Sequence, residues 1–220
     1  MFKIHRFKSV DSTNTKALDF LDDKSVIVAL EQTKGKGRFD REWISLEGGL
    51  YFSVVLKAED MGLLTFIAAI SVHHAISDLK VDAVIKWPND ILVDGKKVCG
   101  ILTSIHKDYA IVGIGVNTNN NVPSNAVALA GVDNDKLLDK ILFYFEQNLK
   151  LDKNKIVDYW KKNSFLGTKV KVKTLNKELE GVAFSVDGDL SLILDVDGKK
   201  IVVREGDLTL IGTSCNHKHL

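Results

Sequence analysis

The stretch Gln32-Thr33-Lys34-Gly35-Lys36-Gly37-Arg38-Phe39-Asp40-Arg41-Glu42-Trp43 joins glycines, four cations and an indole in one loop. Gly35 and Gly37 permit backbone conformations that a Cβ forbids, and they let a ligand approach main-chain N–H groups. Lys36, Arg38 and Arg41 supply charge suited to a phosphate, and an arginine can grip two oxygens at once. Val26-Ile27-Val28-Ala29-Leu30 before the loop and Leu50-Tyr51-Phe52-Ser53-Val54-Val55-Leu56 after it read as buried strands. The cationic loop is therefore slung between two core strands. A solvated basic turn would share this composition, whereas a Walker phosphate loop, which needs Gly, four residues, then Gly-Lys-Ser or Gly-Lys-Thr, does not fit.

A chain of 220 residues accommodates one large domain, or a large one plus a small one, with a real core. The 45% hydrophobic and 27% charged fractions are those of an ordinary globule. A net charge of +1 argues against a surface shaped for nucleic acid, so any basic site must be local. No apolar run approaches the roughly 20 residues of a bilayer span, and Met1-Phe2-Lys3-Ile4-His5-Arg6 lacks a signal-peptide core. The expected address is cytoplasmic, without membrane attachment. Cys99 and Cys215 are too few and too far apart for a disulfide framework or a zinc site. Neither His73-His74, inside an apolar helical pattern, nor His217 and His219, in the tail, has a convincing metal spacing.

Residues 2–10 read as a first strand, ending at Asp11-Ser12-Thr13-Asn14-Thr15, a set of good helix N-caps before a helix through Leu21. One cap explains one polar residue; a run of five leaves side chains free to bond a ligand. Residues 61–79 form the clearest helix, apolar nearly all round and so expected to be buried. In Ala83-Val84-Ile85-Lys86-Trp87-Pro88-Asn89-Asp90-Ile91-Leu92-Val93 the proline forces a break between two strands. Asp94-Gly95-Lys96-Lys97 reads as a hairpin turn into the next strand. In Val112-Gly113-Ile114-Gly115-Val116-Asn117 two glycines share one strand face, as Gly100 does on the strand before. Either something flat lies against that backbone or a neighbouring element packs closely on it. Two amphipathic helices follow over 135–149 and 155–162, then five short strands from residue 167 onward. Those strands have the proportions of a small barrel, too small for its own core unless it leans on the preceding domain.

Six motifs in order resemble the biotin protein ligases: Ser12-Thr13-Asn14; Gly-Lys-Gly-Arg…Arg…Trp from Gly35 to Trp43; Leu50-Tyr51-Phe52-Ser53; Lys86-Trp87-Pro88-Asn89-Asp90; residues 97–102; and Gly113-Ile114-Gly115-Val116-Asn117. The resemblance implies an α+β fold: a mixed sheet with helices like that of class II aminoacyl-tRNA synthetases over residues 1–166, an SH3-like β-barrel over 167–212, and a tail over 213–220. It implies formation of biotinyl-5′-AMP from biotin and ATP, then transfer to a lysine of a biotin carboxyl carrier protein domain. With no room before Met1 for a winged-helix domain, a ligase without a repressor function is expected. A homodimer through the central sheet is expected on the same ground.

The resemblance further implies that Arg38 and Lys97 are the catalytic cations. Biotin is expected against Ser12, Thr13, Asn14, Gln32, Gly35, Lys36, Gly37, Arg38 and Lys97, over a floor of Gly100, Leu102, Gly113 and Gly115. ATP is expected against Lys36, Arg38, Arg41, Trp43, Lys97 and Asn117, with Mg²⁺ accompanying it and its ligands left open. Two alternatives stand beside these roles: Lys97 as a solvated turn lysine and Ser12 as a plain helix cap. Lys86 and Asp90 read as an ion pair fixing the turn beneath the site, with Asp90 the candidate base for the transfer step. A glycine-hinged loop over 33–43 is expected to be mobile without ligand and ordered with it. Lys36 stands where many relatives have arginine and Asp40 where glycine is common. A lipoate or octanoyl ligase shares the fold and is the nearest rival, although lipoate lacks the ureido ring that Ser12, Thr13, Asn14 and Gln32 would recognise. A nucleic-acid-binding module is the rival from another class.

Overall fold

Strands covered on both faces read as continuous apolar runs, and such runs form the middle of a seven-stranded mixed sheet. The computed structural model describes residues 1–57 and 61–211; the expected tail, with Cys215, His217 and His219, lies outside the described residues. The sheet comprises β1 (Lys3–Val10), β2 (Ser25–Gln32), β3 (Leu50–Lys57), β4 (Ala83–Lys86), β5 (Asp90–Val93), β6 (Lys96–His106) and β7 (Tyr109–Val116). Their order is β1-β2-β3-β7-β6-β5-β4, with β1 parallel to β2 and the other neighbours antiparallel.

One face of the sheet carries the main core. Helix α2 (Met61–Ser77), apolar on every side, is packed between that face and two further helices, α3 (Asn134–Asn148) and α4 (Lys153–Lys162). Asp133 and Asp152 cap α3 and α4 by accepting from backbone N–H groups two or three residues further on. The other face is covered at one end by α1 (Thr13–Lys16) and the 3-10 turn Ala17–Phe20. The helix expected through Leu21 is therefore shorter than its periodicity suggests. Its apolar contact with the sheet runs through Ala17, Phe20 and Leu21, which meet Ile27, Val55 and Ile111, while Leu18 stays exposed.

Five antiparallel strands follow, β8 (Lys169–Lys173), β9 (Glu178–Val186), β10 (Leu192–Val196), β11 (Lys199–Val203) and β12 (Asp207–Leu210), in the order β11-β10-β9-β8-β12. Their apolar side chains join the core of the first sheet in one continuous cluster. Trp87, fully buried, donates its indole N–H to the Leu190 carbonyl at 3.1 Å and ties the two sheets together. The small unit thus borrows its core from its neighbour, as its size requires. Among the described residues no helix is long and apolar enough to cross a membrane.

Two features of register place the site. Ser53 pairs with Gly113, and Gly113 with Leu102; Tyr51 pairs with Gly115, and Gly115 with Gly100. Side chains directly opposite one another share a face, so these six form two rows away from the main core. The second feature is the β5–β6 hairpin, whose turn Asp94-Gly95 has positive φ at both residues, 50° and 71°, as a two-residue hairpin loop demands. Just beyond it the register slips: Ile91 pairs with Cys99 but Leu92 with Lys97. Regular alternation would put Lys97 on the core face with Cys99 and Ile101. The bulge instead sends Val98 into the core and turns Lys97 to the opposite side.

Candidate active site

On that opposite side lies a cleft of about 810 Å³. Its walls are the start of α1, the cationic loop, the turn between β4 and β5, and strands β8 and β12 of the second sheet. Every site residue expected from the sequence lines it except Gly35. Gly35 lies behind the wall, where a Cβ would come within 2.2 Å of the Trp43 carbonyl oxygen, so its smallness serves packing of the loop.

One end of the cleft is a polar network. The Gln32 side-chain oxygen accepts from the Thr13 backbone N–H at 2.7 Å and the Thr13 hydroxyl at 3.1 Å, while its amide nitrogen donates to Ser45 Oγ at 2.7 Å. Ser53 Oγ lies 2.8 Å from Thr13 Oγ1 and 2.6 Å from Asn14 Oδ1, its single proton serving one at a time. Asn14 Nδ2 donates to the Leu102 carbonyl at 3.3 Å. These bonds fix the orientation of the Gln32 and Asn14 amides before any ligand arrives. Ser12 is buried at the N-cap position of α1, yet its side chain makes no capping bond. The plain-cap reading of Ser12 therefore fails, and the residue lines the cleft.

The glycine face is filled by close neighbours. A Cβ on Gly113 would meet Asn14 Oδ1 at 2.2 Å, and one on Gly115 would meet Trp43 Nε1 at 2.4 Å. The flat object against the backbone is thus the indole of Trp43, delivered by the cationic loop. Lys97 stands over the same ring, its Nζ 5.0 Å from the centroid.

The other end carries charge. Lys97 Nζ lies 2.6 Å from Asp90 Oδ1, and Lys86 Nζ lies 3.1 Å from Asp90 Oδ2. The ion pair expected between Lys86 and Asp90 is present, and Lys97 belongs to it as well, so Lys97 is no solvated turn lysine. Arg38 Nη1 donates to Asn89 Oδ1 at 3.4 Å and to the Gly206 carbonyl at 3.3 Å. Burial pulls the Arg38 pKa down, opposed by the carboxylates of Asp207 and Asp90. A guanidinium stays protonated under such shifts, so the cleft keeps its positive end. Asn117 is buried behind it, its amide donating to the Lys97 carbonyl at 3.4 Å.

Several lining or supporting residues had no role in the sequence reading. Ser53 was detectable as a polar residue inside an apolar strand, and Asn89 as part of the turn containing Lys86 and Asp90. Ser45, Lys171, Lys173 and Asp207 gave no local signal, because their place depends on how distant segments meet. Among the described residues no group of three or more His, Cys, Asp or Glu side chains is placed to hold a metal ion.

Fold and cleft together define the class first: an α+β protein in which a mixed sheet and a small second sheet share one cleft with a positive end. The profile of the Biotin/lipoate A/B protein ligase family matches residues 6–119, and the chain belongs to that family. It is similar to the bifunctional ligase/repressor BirA of Bacillus subtilis, with 32% identity over 209 residues, 79% of this chain and 62% of that protein. The chain thus spans less than two thirds of that relative's length. It is 27% identical to the biotin–[acetyl-CoA-carboxylase] ligase of Mycobacterium tuberculosis, covering 84% of this chain and 79% of the other. Among solved structures it resembles biotin protein ligase from Aquifex aeolicus in complex with biotin and ATP. The TM-score there is 0.85 at 29% identity, over 97% of this chain and 100% of that one. The resemblance to biotin protein ligases drawn from the motifs is borne out in family and in fold.

Proposed function

We propose that this protein is an ATP-dependent biotin protein ligase acting on a biotin carboxyl carrier protein domain. The observation that carries the reading is the convergence, in one cleft, of a fixed amide and hydroxyl network with Arg38 and Lys97. Its full-length likeness to a ligase bound to biotin and ATP supports the same substrates.

Biotin has a polar ureido ring and an apolar tail. Ser12, Thr13, Asn14 and Gln32 hold the ring, the Lys36 backbone joins them, and Gly100, Leu102, Gly113 and Gly115 border the slot. The carboxylate, with a pKa between about 4 and 5, is ionised at neutral pH and needs no base. Its oxygen attacks the α-phosphorus of ATP, the bond from that phosphorus to the bridging oxygen breaks, and pyrophosphate leaves. Arg38 and Lys97 neutralise the charge that grows on the phosphate oxygens, and Arg41, Trp43 and Asn117 help hold the nucleotide. The neutral amine of the acceptor lysine then attacks the acyl carbon, expelling AMP and leaving an amide. Closure of the 33–43 loop keeps water from the mixed anhydride between the steps.

The described residues offer no carboxylate cage for Mg²⁺, so the ion enters with the phosphates of the nucleotide and no step is assigned to it. The reading is tested by pyrophosphate release from Mg-ATP with biotin or lipoate as the acyl donor. Release with biotin alone supports it; release with lipoate alone favours the sister chemistry of the family. ATP-independent gel retardation of nucleic acid without any release contradicts both.

A further inference from the structure

Asp207 opens β12, on the second sheet, and lies 166 positions from the loop it touches. Its Oδ1 accepts from Arg41 Nη2 at 2.6 Å. Arg41 in turn donates Nε to the Arg38 carbonyl at 3.1 Å, and Arg38 reaches the Gly206 carbonyl beside Asp207. Gly206 is itself confined: its φ is +154°, and a Cβ there would come within 2.8 Å of the Lys173 carbonyl oxygen.

The loop needs such an anchor. Phe39 and Asp40 are consecutive left-handed residues, each with φ 55°, a conformation disfavoured for side chains with a Cβ. Phe39 is half exposed and has the guanidinium carbons of Arg38 and Arg41 at 4.7 and 5.7 Å from its ring centroid. Two like charges flanking one exposed ring repel each other, and the carboxylate that ion-pairs with Arg41 is that of Asp207, outside the loop.

We propose that Asp207 is a positioning residue: from the second sheet it anchors Arg41, and with the neighbouring Gly206 carbonyl it holds the Arg38 guanidinium at the cleft before substrate arrives. The inference rests on the ligase reading for its catalytic meaning. Both partners of the Arg41–Asp207 pair are about half exposed, so the pair contributes little to global stability. Its effect is on the fraction of molecules whose loop is already competent, and apparent affinity falls in proportion to that fraction.

The test uses the full chain with Asp207→Lys, Asp207→Asn and Asp207→Glu. Asp207→Lys is expected to raise KM for ATP by about tenfold and Asp207→Asn by about threefold, with kcat within about twofold and the melting temperature little changed. Asp207→Glu keeps the carboxylate and is expected to return KM toward the wild-type value. In the ligand-free protein, amides of residues 33–43 should exchange faster in Asp207→Lys than in wild type. Equal exchange and equal KM in wild type and Asp207→Lys would overturn the inference; should Asp207→Lys fail to fold, Asp207→Asn decides it by the same two readouts. The exchange comparison needs no catalysis. A wild-type protein that makes no biotinyl-adenylate therefore removes the ligase reading while leaving the anchoring of the loop separately decidable.

Discussion

Lys97 and Asp90 meet at 2.6 Å on the cleft side of the β5–β6 hairpin, and the second oxygen of Asp90 is held by Lys86 at 3.1 Å. One carboxylate between two ammonium groups leaves a net positive charge, and it also fixes where that charge points. Lys97 reaches this position only because the bulge at Val98 turns it out of the core face.

Replacing Lys97 by Met keeps most of the stem that packs beside Trp43 and removes the charge. Biotin-dependent pyrophosphate release is expected to fall by about 100-fold or more, the scale of losing one donor to a developing anion. Urea denaturation should change by no more than about 1 kcal/mol, since Lys86 continues to neutralise Asp90. Steady-state pyrophosphate release and equilibrium unfolding measure the two effects separately.

Asp90→Asn acts in the other direction. It leaves two partly buried ammonium groups facing each other without their shared counter-charge, and a loss of about 2 kcal/mol is expected, below the range for a wholly buried pair. The midpoint of urea unfolding reports it. A midpoint equal to wild type would mean that the triad carries no structural weight.

Gly115→Ala places a methyl 2.4 Å from Trp43 Nε1 and must displace the indole. Trp160 is buried away from the cleft and Trp87 is buried in its wall, so the indole that this substitution displaces, Trp43, dominates a change in fluorescence. The expected outcome is an altered emission spectrum and about tenfold weaker biotin binding, with a stability loss of about 1 kcal/mol from overpacking. An unchanged spectrum would contradict the packing of the loop on the glycine face.

The protein should lose stability in mild acid. Burial lowers the pKa of His73, whose ring also meets the Tyr159 hydroxyl and the Ala83 carbonyl, each at 3.0 Å, and burial lowers that of His74. The nearby carboxylates Asp82 and Asp78 oppose these shifts without reversing them. The unfolded chain therefore binds protons that the folded chain refuses. Stability is fully present above the unfolded histidine value near 6.5 and is lost as pH falls through the depressed folded values, by at most about 1.4 kcal/mol per pH unit for each histidine. Urea midpoints between pH 8 and pH 5 check this, and His73→Gln should flatten the slope.

Much of the fold was legible because its signals are local. Among the described residues, alternation and apolar runs locate all twelve strands to within a few residues, and Asp94-Gly95 announced its own hairpin. The cleft was legible wherever a residue broke the pattern of its element, as Gly113 and Gly115 do in an apolar strand. It was not legible where geometry is set by non-local contact. No periodicity places Lys97 on the cleft face, since the responsible bulge is a mismatch between two strands. Ser12 looked like a cap because capping is what serine before a helix most often does, yet its side chain makes no such bond. Asp207 looked like one more strand residue, and its contact with Arg41 exists only because the second sheet lies against the first.

Mass spectrometry of a biotin carboxyl carrier protein domain, incubated with this protein, biotin and Mg-ATP, tests the central claim most directly. The domain should gain the mass of one biotinyl group on one lysine with wild-type protein, and should gain little or nothing with Arg38→Ala or Lys97→Ala. Equal modification by wild type and both variants, or none with wild type, would contradict ligase chemistry in this cleft.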